Sequence, residues 1–279
     1  MYTFLHQHKM LKLLITCKFL YYQLKFHIVV FLNNFKNGKP QLNDIDSEYK
    51  IKIKKNGYVI IENYYDRHQC DQIKQFLEKN FQSKKMNIWK GSDLNSDKRI
   101  FGAERLENSY IKKFNFDQKL LKIGNDFMNQ NLVNSYTMAG KINYVKNNLG
   151  SGEGWHRDSI QPCYKALLYL TDVDKNFGPL QIIEKTNKFY NVVKDHSILK
   201  KHNLLQTRYD NDQIKKLIEI NLYKITSIEA KAGTVILFDG SNLHRGAPIN
   251  KGARFALTNY YFTEKQSIKE KEKVKHFLN

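Results

Sequence analysis

Two histidines and an aspartate carry the first chemical signal in this chain of 279 residues. His156 and Asp158 stand two apart in Gly154-Trp155-His156-Arg157-Asp158-Ser159, and His244 stands in Leu243-His244-Arg245-Gly246-Ala247-Pro248. On a strand, side chains at i and i+2 share a face. The spacing predicts that His156 and Asp158 reach inward together, that Arg157 points away, and that His244 joins them from a later strand. Two imidazoles and one carboxylate form the facial triad of non-haem Fe(II), which leaves positions open for a co-substrate and O2. Further on, Arg254 lies in Gly252-Ala253-Arg254-Phe255-Ala256-Leu257. Its planar fork could hold the distal carboxylate of 2-oxoglutarate bidentately.

Each signal alone has an ordinary explanation. A His-x-Asp arises easily by chance in a chain with nine His, a lone histidine is usually structural, and an arginine near a strand end is usually solvated. Order and context shift the balance toward a metal. A Gly-rich loop (Gly150, Gly152, Gly154) precedes the His-x-Asp, and an alternating run from Tyr164 to Leu170 follows it. After a turn over Asn176 to Leu180, a strand from Gly233 to Asp239 runs almost directly into His244.

The segment from Gly57 to Phe262 resembles the phytanoyl-CoA dioxygenase family of Fe(II)- and 2-oxoglutarate-dependent oxygenases. The matching pieces are Gly57-Tyr58-Val59-Ile60-Ile61, Gly154-Trp155-His156-Arg157-Asp158, Leu168-Tyr169-Leu170-Thr171-Asp172-Val173-Asp174, Gly178-Pro179-Leu180-Gln181-Ile182-Ile183, Ala232-Gly233-Thr234-Val235, Leu243-His244-Arg245-Gly246 and Arg254. The resemblance implies a mainly-β double-stranded β-helix, a jelly-roll or cupin-like barrel with flanking helices. It implies Fe(II), 2-oxoglutarate and O2; the expected reaction is hydroxylation with release of succinate and CO2, with desaturation, epoxidation and cyclisation left open. It also implies a polar residue that helps bind 2-oxoglutarate on the strand Tyr136 to Val145. Asn143 is the best match, and a plain strand-edge residue is the competing reading. Related halogenases replace the carboxylate by Gly or Ala, so Asp158 favours hydroxylation. One departure stands out: where the family carries a Pro-Gly-Ser-His-like turn, this chain has Glu184-Lys185-Thr186-Asn187-Lys188.

The elements that must position these residues fit one large domain. Hydrophobic content of 41% and aromatic content of 13% belong to a folded globule. The expected divisions are an N-terminal extension and linker (1–46), an oxygenase domain (47–263) with an insertion or lid (184–230), and a charged tail (264–279). Asp66 reads as the N-cap of a helix through Phe81, with Ile73, Phe76 and Leu77 at helical spacing. Asp117 to Asn131 reads as a second helix. Lys84 to Lys98 reads as a polar loop whose Trp89 packs or rims the site. In the insertion, Asn211 to Glu219 looks helical, Lys194, Lys200, Lys201 and Arg208 could meet an anionic substrate, and His196 and His202 read as surface histidines.

The formal charge is +19. Nucleic acid, anionic lipid or acidic substrates could each answer it. Lysine is spread among many Asn, Ile and Tyr, which equally fits A+T-rich codon bias, so nucleic acid is not the favoured partner. In residues 1–35, lysines are threaded through apolar residues without a run of uninterrupted apolar residues long enough to span a bilayer. Two readings stand: an amphipathic helix at a membrane surface, or, the favoured one, a helix packed on the barrel or a second subunit. Cys17, Cys70 and Cys163 are few and widely separated, which suits free thiols and a cytoplasmic setting, peripheral to a membrane on the first of those readings. The expected substrate is a small metabolite, anionic, sugar-like or lipid-linked. A nucleic-acid dealkylase and a non-catalytic binding barrel are the alternatives, and the oligomeric state is left open.

Overall fold

A computed structural model describes residues 2–37, 44–92, 96–199 and 207–278. Two helices open the chain, α1 (Tyr2–Asn37) and α2 (Asp44–Asn56). Strand β1 (Tyr58–Ile61) and helix α3 (Arg67–Gln82) follow. Then come β2 (Trp89–Lys90), β3 (Asp97–Phe101), α4 (Ser109–Asn115), α5 (Gln118–Met128) and β4 (Val133–Asn143). The middle of the chain forms β5 (Trp155–His156), β6 (Tyr164–Tyr169), β7 (Leu180–Ile183), α6 (Phe189–Ile198), β8 (Arg208–Tyr209), α7 (Asn211–Asn221) and β9 (Ile225–Ile228). It ends with β10 (Val235–Asp239), β11 (His244–Gly246), β12 (Ala253–Phe262) and α8 (Glu264–Val274).

The strands form two antiparallel sheets. The larger runs β1-β10-β6-β12-β4-β3-β2 and the smaller β8-β5-β11-β7-β9. One face of the larger sheet buries Ala166, Leu168, Val235, Leu237, Phe255 and Leu257 against the helices. Its other face packs Tyr169, Ile236, Phe238 and Ala256 against Leu180, Ile182 and Ile228 of the smaller sheet. Both sets alternate along their strands, as a sheet covered on both faces requires.

Local chemistry sets the helices on that frame. Asp66 accepts from the Gln69 backbone N–H at 2.7 Å, and the Gln69 side chain accepts from the Asp66 N–H in return, a capping box that starts α3. Asp117 caps α5 in the same role, through the N–H groups of Lys119 and Leu120. Gly124 of α5 lies so close to β6 that an added Cβ would sit 2.4 Å from the Tyr164 ring.

The sequence reading needs correcting in four places. Segment 84–98, read as a polar loop, supplies β2 and the start of β3 to the larger sheet. The linker read over 33–46 is helical where it is described: 33–37 continue α1 and 44–46 open α2, while 38–43 lie outside the described residues. Segment 184–230 is more than an insertion. Its β8 pairs with β5 and its β9 with β7, so it supplies both edges of the smaller sheet. Edge strands have one solvated side and read as polar. His196 is fully buried on α6, its Nδ1 2.8 Å from the Val192 carbonyl, and His202 is outside the described residues.

Candidate metal centre

The smaller sheet brings the three metal-ligand candidates together. His244 on β11 pairs directly with His156 on β5, and their ring centroids are 4.4 Å apart. Asp158 follows β5, fixed by its N–H to the Gly240 carbonyl at 2.9 Å. One ligand atom from each of the three residues lies within 4.8 Å of the others. His244 Nε2 is 3.5 Å from Asp158 Oδ2, and His156 Nε2 is 3.9 Å from Asp158 Oδ1. Gly240 leaves the necessary room, since a Cβ there would fall 2.1 Å from Asp158 Oδ2.

The donor chemistry fits Fe(II). His156 Nδ1 lies 2.9 Å from the Gly154 carbonyl, and His244 Nδ1 lies 2.8 Å from the Asn242 carbonyl. Only a protonated Nδ1 makes these bonds, which leaves both Nε2 lone pairs facing Asp158 as ligands. Burial, then the neighbouring His244, pushes His156 down to about 3, although Asp158 pulls the other way. Burial also lowers His244. Burial alone would raise Asp158, but Lys165 and the two histidines outweigh it and hold the carboxyl well below its usual range. Two neutral imidazoles beside one carboxylate are the protonation states a divalent iron binds.

Lys165, which the sequence reading passed over, supplies much of that field. It sits on β6 with Nζ 2.7 Å from Asp158 Oδ2 and 4.3 Å from the centre of the Tyr260 ring. The available signal was a lysine inside an otherwise apolar, buried strand.

Arg254 lines the same pocket, about 280 Å³ in volume, with His156, Asp158 and His244. It is 4% exposed, and its Nη1 donates to the Gly178 carbonyl. Its Nε has no partner and no carboxylate lies within ion-pair range, among the described residues. Burial lowers its pKa. A buried guanidinium with an open fork calls for an anion, and the distal carboxylate of 2-oxoglutarate fits it.

Asn143 does not join the site. Arg254 pairs with Ile142 and Thr258 with Met138, so the even-numbered residues of β4 face the pocket. Asn143 shares the opposite face with Lys141, whose Nζ contacts Glu78 at 3.1 Å. Trp89 is also absent from the pocket; it stacks under the Arg99 guanidinium at 4.7 Å. Arg157 points away, as expected, but into the interior. It is 1% exposed and donates to the Ser241 carbonyl at 2.8 Å and to Asp195 Oδ2 at 3.3 Å. Trp155 also faces away, packed among Ile183, Tyr209, Ile214, Leu217 and Leu243. Of the insertion's cations, Arg208 lines the pocket and donates to the Gly152 carbonyl at 2.7 Å, Lys194 on α6 does not line it, and Lys200 and Lys201 lie outside the described residues.

A two-sheet fold that gathers two histidines, an aspartate and a buried arginine in one pocket defines a class, the non-haem iron oxygenases that use 2-oxoglutarate. The family model for phytanoyl-CoA dioxygenase (PhyH) matches residues 53–256, and the chain belongs to that family. Solved structures of similar fold include the epimerase SnoN in complex with Fe3+, alpha ketoglutarate and nogalamycin RO. It is 12% identical, with a TM-score of 0.58 over 78% of this chain and 84% of that one. HygX from Streptomyces hygroscopicus, with nickel, 2-oxoglutarate and hygromycin B bound, is 13% identical, with a TM-score of 0.54 over 80% and 88%. EctD from S. alaskensis with bound Fe is 15% identical, with a TM-score of 0.58 over 80% and 79%. Comparison with curated proteins gives no match.

Proposed function

We propose that this chain is a hydroxylase acting on a small anionic or lipid-linked metabolite, built on a double-stranded β-helix barrel and working in the cytoplasm. The observation that carries the reading is the meeting of His156, Asp158 and His244 in the pocket that Arg254 closes. Iron would be held by the three, and 2-oxoglutarate would set its distal carboxylate on Arg254. Together they supply the oxidising chemistry, in which O2 and 2-oxoglutarate are consumed, succinate and CO2 released, and a substrate C–H hydroxylated.

The protein's own part is positioning and exclusion of water. The two backbone carbonyls that receive the Nδ1 protons fix both ring planes. Lys165 keeps Asp158 ionised and its carboxylate oriented. Leu167, Leu180, Phe238 and Met138 give the pocket an apolar wall against the polar ligands. Lys165, Arg208 and Arg254 line it, with Arg99 and Arg157 that are paired to Asp97 and Asp195, against a single lining acid, Asp158. With Arg254 assigned to 2-oxoglutarate, the remaining positive charge supports an anionic substrate. The carboxylate ligand supports hydroxylation over halogenation, which needs that position free for chloride. SnoN is named an epimerase, so product analysis must accompany any assay.

The test is anaerobic titration with Fe(II) and then 2-oxoglutarate, followed by the visible charge-transfer band of the chelate. The wild type should develop the band, His156→Ala should lose it, and Arg254→Ala should need on the order of tenfold more 2-oxoglutarate, as loss of one charged anchor implies. No band in folded wild-type protein would overturn the reading.

A further inference from the structure

The N-terminal helix has two apolar faces, and only one is covered. Ile15, Phe19 and Val30 face inward at 8% exposure or less. Ile15 and Phe19 pack with Val192 and Val193 of α6 and with Ile160. Advancing about 100° per residue, the opposite side carries Leu13, Tyr21, Leu24, Ile28, Phe31 and Phe35. These are 48% to 85% exposed. From Leu13 to Phe35 the stripe runs about 33 Å at 1.5 Å per residue. No charged residue falls inside it; Lys18 and Lys25 border it on one flank, both exposed. A soluble surface helix keeps one apolar stripe and turns polar residues outward. This one turns a second apolar stripe to the outside, larger than scattered surface residues account for.

We propose that this outer face of α1 lies in the interface of an anionic lipid bilayer, parallel to its plane. Charge selects the occupant. The first 43 residues hold six lysines (Lys9, Lys12, Lys18, Lys25, Lys36, Lys39) and no Asp or Glu. A second copy of the helix would bring like charges together, whereas anionic headgroups complement them. Lysines that flank an apolar stripe can bury their stems and keep their heads among the phosphates. The packed inner face selects the orientation. Leu13–Leu32 is long and apolar enough to cross a membrane, but crossing would strip Ile15, Phe19 and Val30 from the protein. Lying flat keeps those contacts and buries the outer stripe.

The placement has a structural consequence at the site. Phe26, on the inner side of α1, lines a cavity of about 400 Å³ that also reaches Asp158 and Lys165. The helix that meets the lipid therefore also walls the space beside the metal ligands.

The experiment is flotation of the purified full chain with phosphatidylcholine vesicles, with or without about 30% phosphatidylserine, at about 150 mM salt. The wild type should float with the anionic vesicles and remain largely behind with phosphatidylcholine alone. The double variant Leu24→Glu/Phe31→Glu should lose at least about tenfold in partitioning, as charges on the buried face of an interfacial helix require. Its Fe(II)·2-oxoglutarate band should be unchanged, so failure of membrane contact and failure of the iron reading are separable. Three results would overturn the proposal: a wild type that ignores anionic vesicles, a double variant that floats equally well, or a wild-type dimer in solution that the double variant turns into a monomer.

Discussion

The metal-ligand histidines are set to bind without competition from protons. A histidine near its ordinary value, about 6.5, would be mostly protonated at pH 6 and would give up that proton to bind a metal. Here burial keeps both imidazoles neutral, His156 down to about 3 and His244 lowered as well. The sign follows directly: His156 has no proton to displace anywhere between pH 6 and 8, and the lowering of His244 leaves it less to displace than an ordinary histidine. Fe(II) affinity, measured anaerobically by calorimetric titration at pH 6 and pH 8, should change less than about twofold, where two ordinary histidines would lose roughly tenfold or more at the lower pH. A loss of that size would show that the histidines titrate normally. Residue identity made the triad and Arg254 legible, because few residue types can do this chemistry. It misled on Asn143, because face depends on register. The pairing of Arg254 with Ile142 turns Ile142 to the pocket and Asn143 away, and no reading of β4 alone contains that pairing.

At the scale of elements, helix α6 is tied to the ligand segment through one buried ion pair. Arg157, between the two ligands, meets Asp195 of α6, and both side chains are fully buried. Tyr223 and Asn221 donate to the same carboxylate at 2.8 and 3.1 Å. Arg157 also donates to the Thr186 and Ser241 carbonyls, which fastens the turns flanking β7 and β10. Removing Asp195 strands a guanidinium in the interior, so Asp195→Ala should cost about 3–5 kcal/mol, read by denaturant unfolding at neutral pH. A cost under about 1 kcal/mol, the range of exposed pairs, would show that water reaches Arg157. The sequence hid this link because a residue opposite the ligands on a strand is read as solvent-facing. The apolar face of α6, Phe189, Val192 and Val193, does recur at helical spacing, but it packs against α1 and lies in a segment read as an insertion or lid. Helices α3 and α5 were legible because Asp66 and Asp117 cap them in place. Helix α1 was legible as a helix, but apolar residues on two faces left open which side packs on the protein.

Across the whole molecule, the pocket is a seam between two sheets. His156 and His244 belong to the smaller sheet, while Lys165 and Arg254 belong to the larger. A metal bound by the histidines and Asp158 gains from one side of the seam; 2-oxoglutarate chelated to it and held by Arg254 would join both. Because the unfolded chain offers no such arrangement, each bound component raises stability by mass action, about 2.7 kcal/mol at a hundredfold excess over Kd. For a chain of this size, each kcal/mol moves the melting temperature by about 2–4 °C. An anaerobic thermal melt should therefore rise with Fe(II) alone and rise again with 2-oxoglutarate added. Without metal, 2-oxoglutarate should give little, since Arg254 would be its only strong contact. In Arg254→Ala the first increment should persist while most of the second disappears, which separates the arginine's part from the metal's. If 2-oxoglutarate instead stabilised Arg254→Ala as much as the wild type, its distal carboxylate would sit elsewhere. Arg208, Lys165 or Arg99, which also line the pocket, would then be the residues to replace next.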